Sequence, residues 1–229
     1  MATRPVFIPI FEGPDFSVTK DIEFQWYPGM SKTQKQKSVR SLHESAKNEG
    51  CGKILEISSK SEDPLGIALS AFNLKIETKK LKKNFTVETA FQASKVFEMG
   101  GPYVDLLGMD SLAAKRDMRL KESGALINFK FYDTVWDLKP RTAFYDWIYM
   151  SALRQNEILA NQLVSFAGFT DIEFNPEKSI NCQARSAALY VSLKFREVLD
   201  EALSSQENFL KVLSHHYGMY NRPVQNTLI

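Results

Sequence analysis

The sequence predicts an α+β fold, predominantly helical, in one domain with a small antiparallel sheet and an N-terminal extension. Three observations carry this expectation. Apolar residues recur at helical spacing through 141–155, 157–167 and 180–203. The first 25 residues instead hold Pro5, Pro9 and Pro14 and the alternating runs Val6-Phe7-Ile8 and Ile22-Glu23-Phe24, which exclude regular helix and favour short strands. The chain has 229 residues, 44% of them hydrophobic, which suffices for one sizeable core. The divisions that follow are an extension with a basic helix at 1–52, the main domain at 53–218, and a polar tail at 219–229.

In order, Trp26-Tyr27-Pro28-Gly29 is a turn, and Ser31 caps a helix to about Asn48. Its thin apolar stripe is Val39, Leu42 and Ala46. Lys32, Lys35, Lys37 and Arg40 make its first half basic, as a contact for nucleic acid or a protein would be. Lys53–Ser58 reads as a strand ending in the polar loop Ser58-Ser59-Lys60-Ser61, followed by a loop at Asp63-Pro64-Leu65-Gly66. Leu69–Glu77 is extended, and Lys75, Lys79, Lys80, Lys82 and Lys83 then stand against Glu77 alone. Such a run contacts phosphates or, more commonly, forms a solvated hairpin tip.

Thr86 is a plausible N-cap for a helix over Val87–Phe97 that ends at Gly100-Gly101-Pro102. Ala90, Ala93 and Phe97 form its narrow apolar stripe, and Glu88, Gln92, Lys95 and Met99 lie roughly opposite. Gly101–Gly108 is a loop, and Ser111 starts a helix to Glu122. Ile127–Phe131 and Trp136 form an aromatic patch. Pro140 sits in the first turn of the aromatic helix 141–155, in which Tyr145 and Tyr149 lie one turn apart. A helix over 157–167 leads to a loop at Phe169–Pro176 holding Asp171 and Glu173. A long helix follows to about Leu203, with an apolar stripe of Ala188, Val191, Phe195, Val198, Leu199 and Ala202, and Ser205–Tyr217 is the last helix.

Composition bounds the function. Net charge is +2, no apolar run approaches the ~20 residues of a membrane span, and the start MATRPVFIPIF does not read as a signal peptide. Cys51 and Cys182 make no disulfide framework, and His43, His215 and His216 are too scattered to propose a metal site. The expectation is a cytoplasmic protein with no metal and no cofactor.

The chemistry concentrates at Glu88-Thr89-Ala90-Phe91-Gln92-Ala93-Ser94-Lys95. A carboxylate, an amide and an ammonium on one face can bind and activate a polar substrate, although such a face is most often solvated surface. This segment resembles the E-x-x-F-Q-A-x-K core of the NADAR (YbiA-like) family. Leu69-Ser70-Ala71-Phe72 resembles its L-S-N-F element, with Ala71 for Asn. Asp171-Ile172-Glu173-Phe174 resembles D-x-x-W, with Phe174 for Trp. The helix from Gln183 resembles N-x-L-G-x-x-L-M, with Gln183 for Asn and Ser186 for Gly. The match runs from about Lys53 to Arg196. GGPYVDL at 100–106, INCQARSAALYVSL at 180–193 and the MATRPVFIP start are similar to the NADAR antitoxins paired with DarT-type DNA ADP-ribosylating toxins.

The resemblance implies a single NADAR-like domain that removes ADP-ribose from guanine bases in DNA, releasing ADP-ribose and reversing a DarT-type toxin. Cleaving a bond between an anomeric carbon and nitrogen needs a carboxylate for the oxocarbenium charge or the water, a proton for the nitrogen, and a held ribose and diphosphate. The implied catalytic residues are Glu88, Asp171 and Lys60, the last as a contact or as a Schiff-base former with ring-opened ribose. The implied substrate-binding residues are Ser58, Ser59, Phe72, Gln92, Lys95, Tyr145, Phe174 and Gln183. For Tyr145, core packing is the competing reading. Two other functions stay open: a small-molecule N-glycosidase of riboflavin-pathway type, and a non-catalytic antitoxin that binds its toxin.

Overall fold

The computed structural model describes residues 1–78, 83–177 and 179–220. Lys79, Lys80 and Lys82 of the lysine run, and the tail from 221, lie outside the described residues. β1 (Ala2–Pro9) and β2 (Ser17–Phe24) form an antiparallel hairpin in register from Ala2↔Phe24 to Pro9↔Ser17. They join β3 (Ile54–Glu56) and β9 (Gly168–Thr170) in a four-stranded sheet of order β2-β1-β9-β3. Only β3 and β9 run parallel. Pro5 and Pro9, which bring no N–H to a ladder, flank Phe7, the residue of β1 that pairs with β9. The first 52 residues thus supply two strands to the sheet that carries β3.

Helix α1 (Lys32–Asn48) is capped by the Ser31 hydroxyl, which accepts from the Gln34 N–H, and it buries Val39, Leu42 and Ala46 as its stripe predicts. Asp63–Gly66, expected as loop, instead opens a short helix α2 (Pro64–Ala68), with Asp63 as N-cap and Pro64 at its first position. Gly66 is required here by close approach. A Cβ would stand 1.9 Å from the Glu56 carbonyl oxygen, so α2 rests directly on β3. Of the extended stretch 69–77 only β4 (Lys75–Glu77) is strand. It pairs with β5 (Asn84–Thr86), and Leu69–Asn73 forms turns.

The helix expected over 87–97 is shorter than its pattern. α3 spans Val87–Ala93, with a capping box between Thr86 and Thr89. The Ser94 hydroxyl closes it on the Ala90 carbonyl, and Lys95–Phe97 leaves as β6. β6 pairs with β7 (Leu126–Phe131), which pairs with β8 (Thr134–Asp137). Strand pairing with β7, from Lys95↔Phe129 to Phe97↔Leu126, overrides the local helical pattern there. Gly101 has φ +89 and lies against the Lys95 carbonyl, where a Cβ would be 2.3 Å away.

The expected helix 111–122 is two pieces, α4 (Ser111–Lys115), capped by Asp110 rather than Ser111, and α5 (Arg119–Glu122). α6 (Ala143–Gln155) and α7 (Glu157–Leu163) follow. α8 (Gln183–Phe195) is buried from Gln183 through Leu193 and forms the axis of the core. It stops at Phe195, which is exposed, because Glu197 turns the chain with φ 59 before α9 (Leu199–Ala202). α10 (Gln206–Val212) and α11 (Ser214–Tyr220) complete the chain. α6 and α8 are locked by a buried network. Asp146 accepts from Arg185 Nη2 at 3.0 Å, Ser186 Oγ at 2.6 Å and Tyr217 Oη at 3.1 Å.

Candidate active site

A cleft of about 1420 Å³ opens where the ends of β3 and β9 meet α3, α4 and α6. Its first wall is α3. The capping box fixes the first turn, and the Glu88 N–H donates to the Ala71 carbonyl at 2.9 Å, so the helix start is pinned to the turn holding Ala71 and Phe72. Glu88 is only 6% exposed, so the face is not the solvated one that its pattern allowed. One turn along, Gln92 Nε2 donates to Glu88 Oε1 at 2.8 Å, and Lys115 Nζ approaches the same oxygen at 3.9 Å from α4. A carboxylate accepts only, so this contact fixes the Gln92 amide. Its buried Oε1 has no hydrogen-bond partner among the described residues.

Lys95 lies on β6, yet it still borders the cleft, with Nζ 5.0 Å from the Phe91 ring centroid. Burial pulls its ammonium down to about 8, against the opposing pull of Glu88. Met99, assigned to the same face, is 71% exposed and outside the cleft lining.

The second wall is built from Ser58, Ser59 and Lys60 after β3, and from Asp171 and Phe174 after β9. Glu56 joins them. It is 3% exposed and accepts from Ser58 Oγ at 2.6 Å, Thr170 Oγ1 at 2.7 Å and the Ile172 N–H at 2.8 Å. The Ser58 oxygen accepts in turn from the Lys60 N–H, so one carboxylate orders both loops. Burial, and then the nearby Glu56, raise the Asp171 carboxyl to about 8, although the Glu173 N–H donates to it at 3.0 Å. Phe174 meets Phe7 of β1 edge-on, with ring centroids 6.3 Å apart.

Gln183, at the start of α8, accepts from the Ala71 N–H and donates to the Ile57 carbonyl, each at 2.6 Å, and ties the two walls together. Phe72 is half-buried, with Lys115 Nζ 5.2 Å from its ring centroid. Tyr145 forms the floor. Burial raises its phenol well above the usual value, and the charges of Glu88 and Asp171 both add to the rise. Tyr149, its neighbour one turn away, belongs to the core, 0% exposed with its hydroxyl on the Leu69 carbonyl.

The eleven residues named from the sequence as catalytic or substrate-binding all border this one cleft. Glu56 was missed, although a lone glutamate between Leu55 and Ile57 in an apolar strand is the signal of a buried carboxylate. Lys35, read from the sequence as part of the basic half of its helix, and Lys115 line the cleft as well. They reach the cleft because Lys35 pairs with Glu173 at 3.3 Å and Lys115 leans toward Glu88. Among the described residues no three of His, Cys, Asp and Glu converge as metal ligands would, and no helix is long and apolar enough to cross a membrane.

Fold and site together define an α+β domain with a carboxylate-walled, cation-rimmed cleft. Residues 2–222 match the family of DarT1-associated NADAR antitoxins, and the chain belongs to that family. No curated protein matches it.

Proposed function

We propose that this antitoxin hydrolyses the N-glycosidic bond between ADP-ribose and guanine in DNA and so repairs the damage done by a DarT-type toxin. The observation that carries the reading is the convergence of Glu88, Asp171 and Tyr145 on the lining of one cleft, together with Lys60, Lys95 and Lys115. The cleft exceeds the ~300–1,000 Å³ of ordinary small-molecule pockets. That supports a ligand with two parts, a dinucleotide-like adduct and the base that bears it.

In this mechanism Glu88 offers its second oxygen to the ribose, since Gln92 and Lys115 both engage Oε1. It stabilises positive charge at C1 and takes a proton from the attacking water. Ser58, Ser59 and Lys60 hold the ribose hydroxyls, Lys95 and Lys115 face the diphosphate, and Phe72 and Phe174 offer rings to a base. Gln183 keeps the two walls at a fixed separation. The test is hydrolysis of an oligonucleotide carrying ADP-ribose on guanine, beside the isolated modified nucleoside and a riboflavin-pathway N-glycoside. Preference for the oligonucleotide supports the proposal. Turnover of the small glycoside alone would replace it, and rescue of toxin-expressing cells without any hydrolysis would make the protein a binding antitoxin.

A further inference from the structure

We propose that Arg116 and Arg141, at the rim of the cleft, hold backbone phosphates of the single DNA strand that carries the modified guanine. This rests on the glycosidic reading above and assigns the strand contact that the reading leaves without residues.

A guanidinium carries five N–H donors in one plane and is satisfied by acceptors placed to meet them. The other described arginines have such acceptors. Arg40, Arg154 and Arg185 pair with Glu62, Asp200 and Asp146, and Arg119 pairs with both Asp105 and Asp117. Arg196 donates to carbonyls of the loop after β1, and Arg4 donates to the Thr3 carbonyl. Arg116 and Arg141 have no ion pair and no side-chain hydrogen bond among the described residues. Both are exposed, and both line the cleft. The arginines left without acceptors are therefore the ones at the site.

Each is placed by an element fixed to the walls. Arg116 ends α4, one turn after Leu112 and beside Lys115, and all three line the cleft. α4 is tied to α3 at its first residue. Ser111 Oγ lies 2.8 Å from Oγ1 of Thr86, the cap of α3, and donates to the Phe72 carbonyl at 3.0 Å. Arg141 precedes the buried Thr142 that begins α6, one turn before Tyr145 of the cleft floor.

The ligand that suits these positions is a phosphodiester. Lys115 leans inward to Glu88, and Lys95 lies against Phe91, so both serve a group inside the cleft. The exposed arginines stand where a backbone passes once its base has entered. Glu88 is 6% exposed, so a guanine adduct reaches it only out of the base stack, which a single strand permits without opening a duplex. Leu112, 43% exposed, offers a neighbouring base apolar surface beside Arg116. The rim carboxylates lie on the other wall, after β9, where Glu173 is already paired with Lys35 and Glu177 follows. In the basic helix α1, by contrast, Lys35 is committed to Glu173 and the Trp26 ring, and Arg40 to Glu62.

The test measures binding of an unmodified, fluorescently labelled single-stranded oligonucleotide by anisotropy over a salt series. The proteins are wild type, Arg116→Gln, Arg141→Gln and Lys211→Gln, the last removing an exposed charge of α10 outside the cleft. Hydrolysis of the ADP-ribosylated oligonucleotide and of the isolated modified nucleoside runs beside it. Each arginine variant should weaken strand binding about 3- to 10-fold and reduce the slope of log affinity against log salt by about 0.7, with Lys211→Gln like the wild type. KM for the modified oligonucleotide should rise with kcat kept, while kcat/KM for the nucleoside holds. The nucleoside carries the ADP-ribose diphosphate but no strand, so an equal loss on it would place the arginines on the adduct and overturn the proposal. An unchanged slope, the same fall in Lys211→Gln, or a wild type that binds no strand would overturn it too. Strand binding weakened as expected in a protein that hydrolyses nothing would support the strand contact and overturn the glycosidic reading alone.

Discussion

Glu88 owes its position to three residues that do no chemistry. Thr86 caps the helix start, Ala71 accepts the Glu88 N–H, and Gln92 holds one carboxylate oxygen. Replacing Glu88 by Gln preserves size and removes the charge, so kcat should fall about 10²- to 10⁴-fold while the urea midpoint stays close to wild type. Lys95 carries a pH signature of its own. Its ammonium is present below about 8 and lost above, because burial lowers it, so affinity for ADP-ribose should weaken as pH rises through that value. In Lys95→Arg the charge persists, and affinity above pH 8 should be better retained than in the wild type, as titration calorimetry would register. Equal losses in both proteins would assign the effect to another group. Glu88 and Lys95 were legible because the E-x-x-F-Q-A-x-K spacing survives in the sequence. Glu56 was not, because two of its three donors, the Thr170 hydroxyl and the Ile172 N–H, come from far along the chain.

At the scale of elements, two of the caps and the first two strands followed the local sequence, whereas Asp110 took the cap expected of Ser111 and element ends departed from their patterns. Ser31 and Thr86 cap as their types require, and Val6–Ile8 and Ile22–Phe24 are strand. The end of α3 depends on β7 offering a partner to Lys95–Phe97, which no helical periodicity reports. Likewise α8 stops where Glu197 takes a left-handed conformation, and the stripe continuing through Phe195 gave no warning. Lys95 kept its place at the cleft all the same, since β6 leaves α3 directly alongside it. Two substitutions test these joints. Gly66→Ala forces a methyl against the Glu56 carbonyl and should cost about 1–3 kcal/mol by urea unfolding, with hydrolysis impaired because the Ser58–Lys60 loop moves with β3. Asp146→Ala removes the carboxylate beside the buried Arg185 guanidinium and should cost about 3–5 kcal/mol. An unchanged midpoint in either would refute the packing described.

Across the whole molecule, the N-terminal hairpin is bound to both the core and the site. β1 places Val6 and Phe7 in the core, and Phe7 supports Phe174 at the cleft. The loop after β1 is gripped by Arg196, whose guanidinium donates to the carbonyls of Ile10, Glu12 and Gly13 and lies 4.3 Å from the Phe16 ring centroid. Deleting residues 1–24 should therefore abolish cooperative unfolding of the remainder, as seen by circular dichroism, rather than trim an accessory arm. The proposed glycosidic hydrolysis depends above all on the Glu88 carboxylate. The most direct measurement incubates wild type and Glu88→Gln with an oligonucleotide carrying ADP-ribose on guanine and follows unmodified oligonucleotide and free ADP-ribose by mass spectrometry. Restoration by the wild type, with Glu88→Gln folded but inactive, is the predicted result. Restoration by both proteins would contradict the assigned site, and restoration by neither would contradict the reaction.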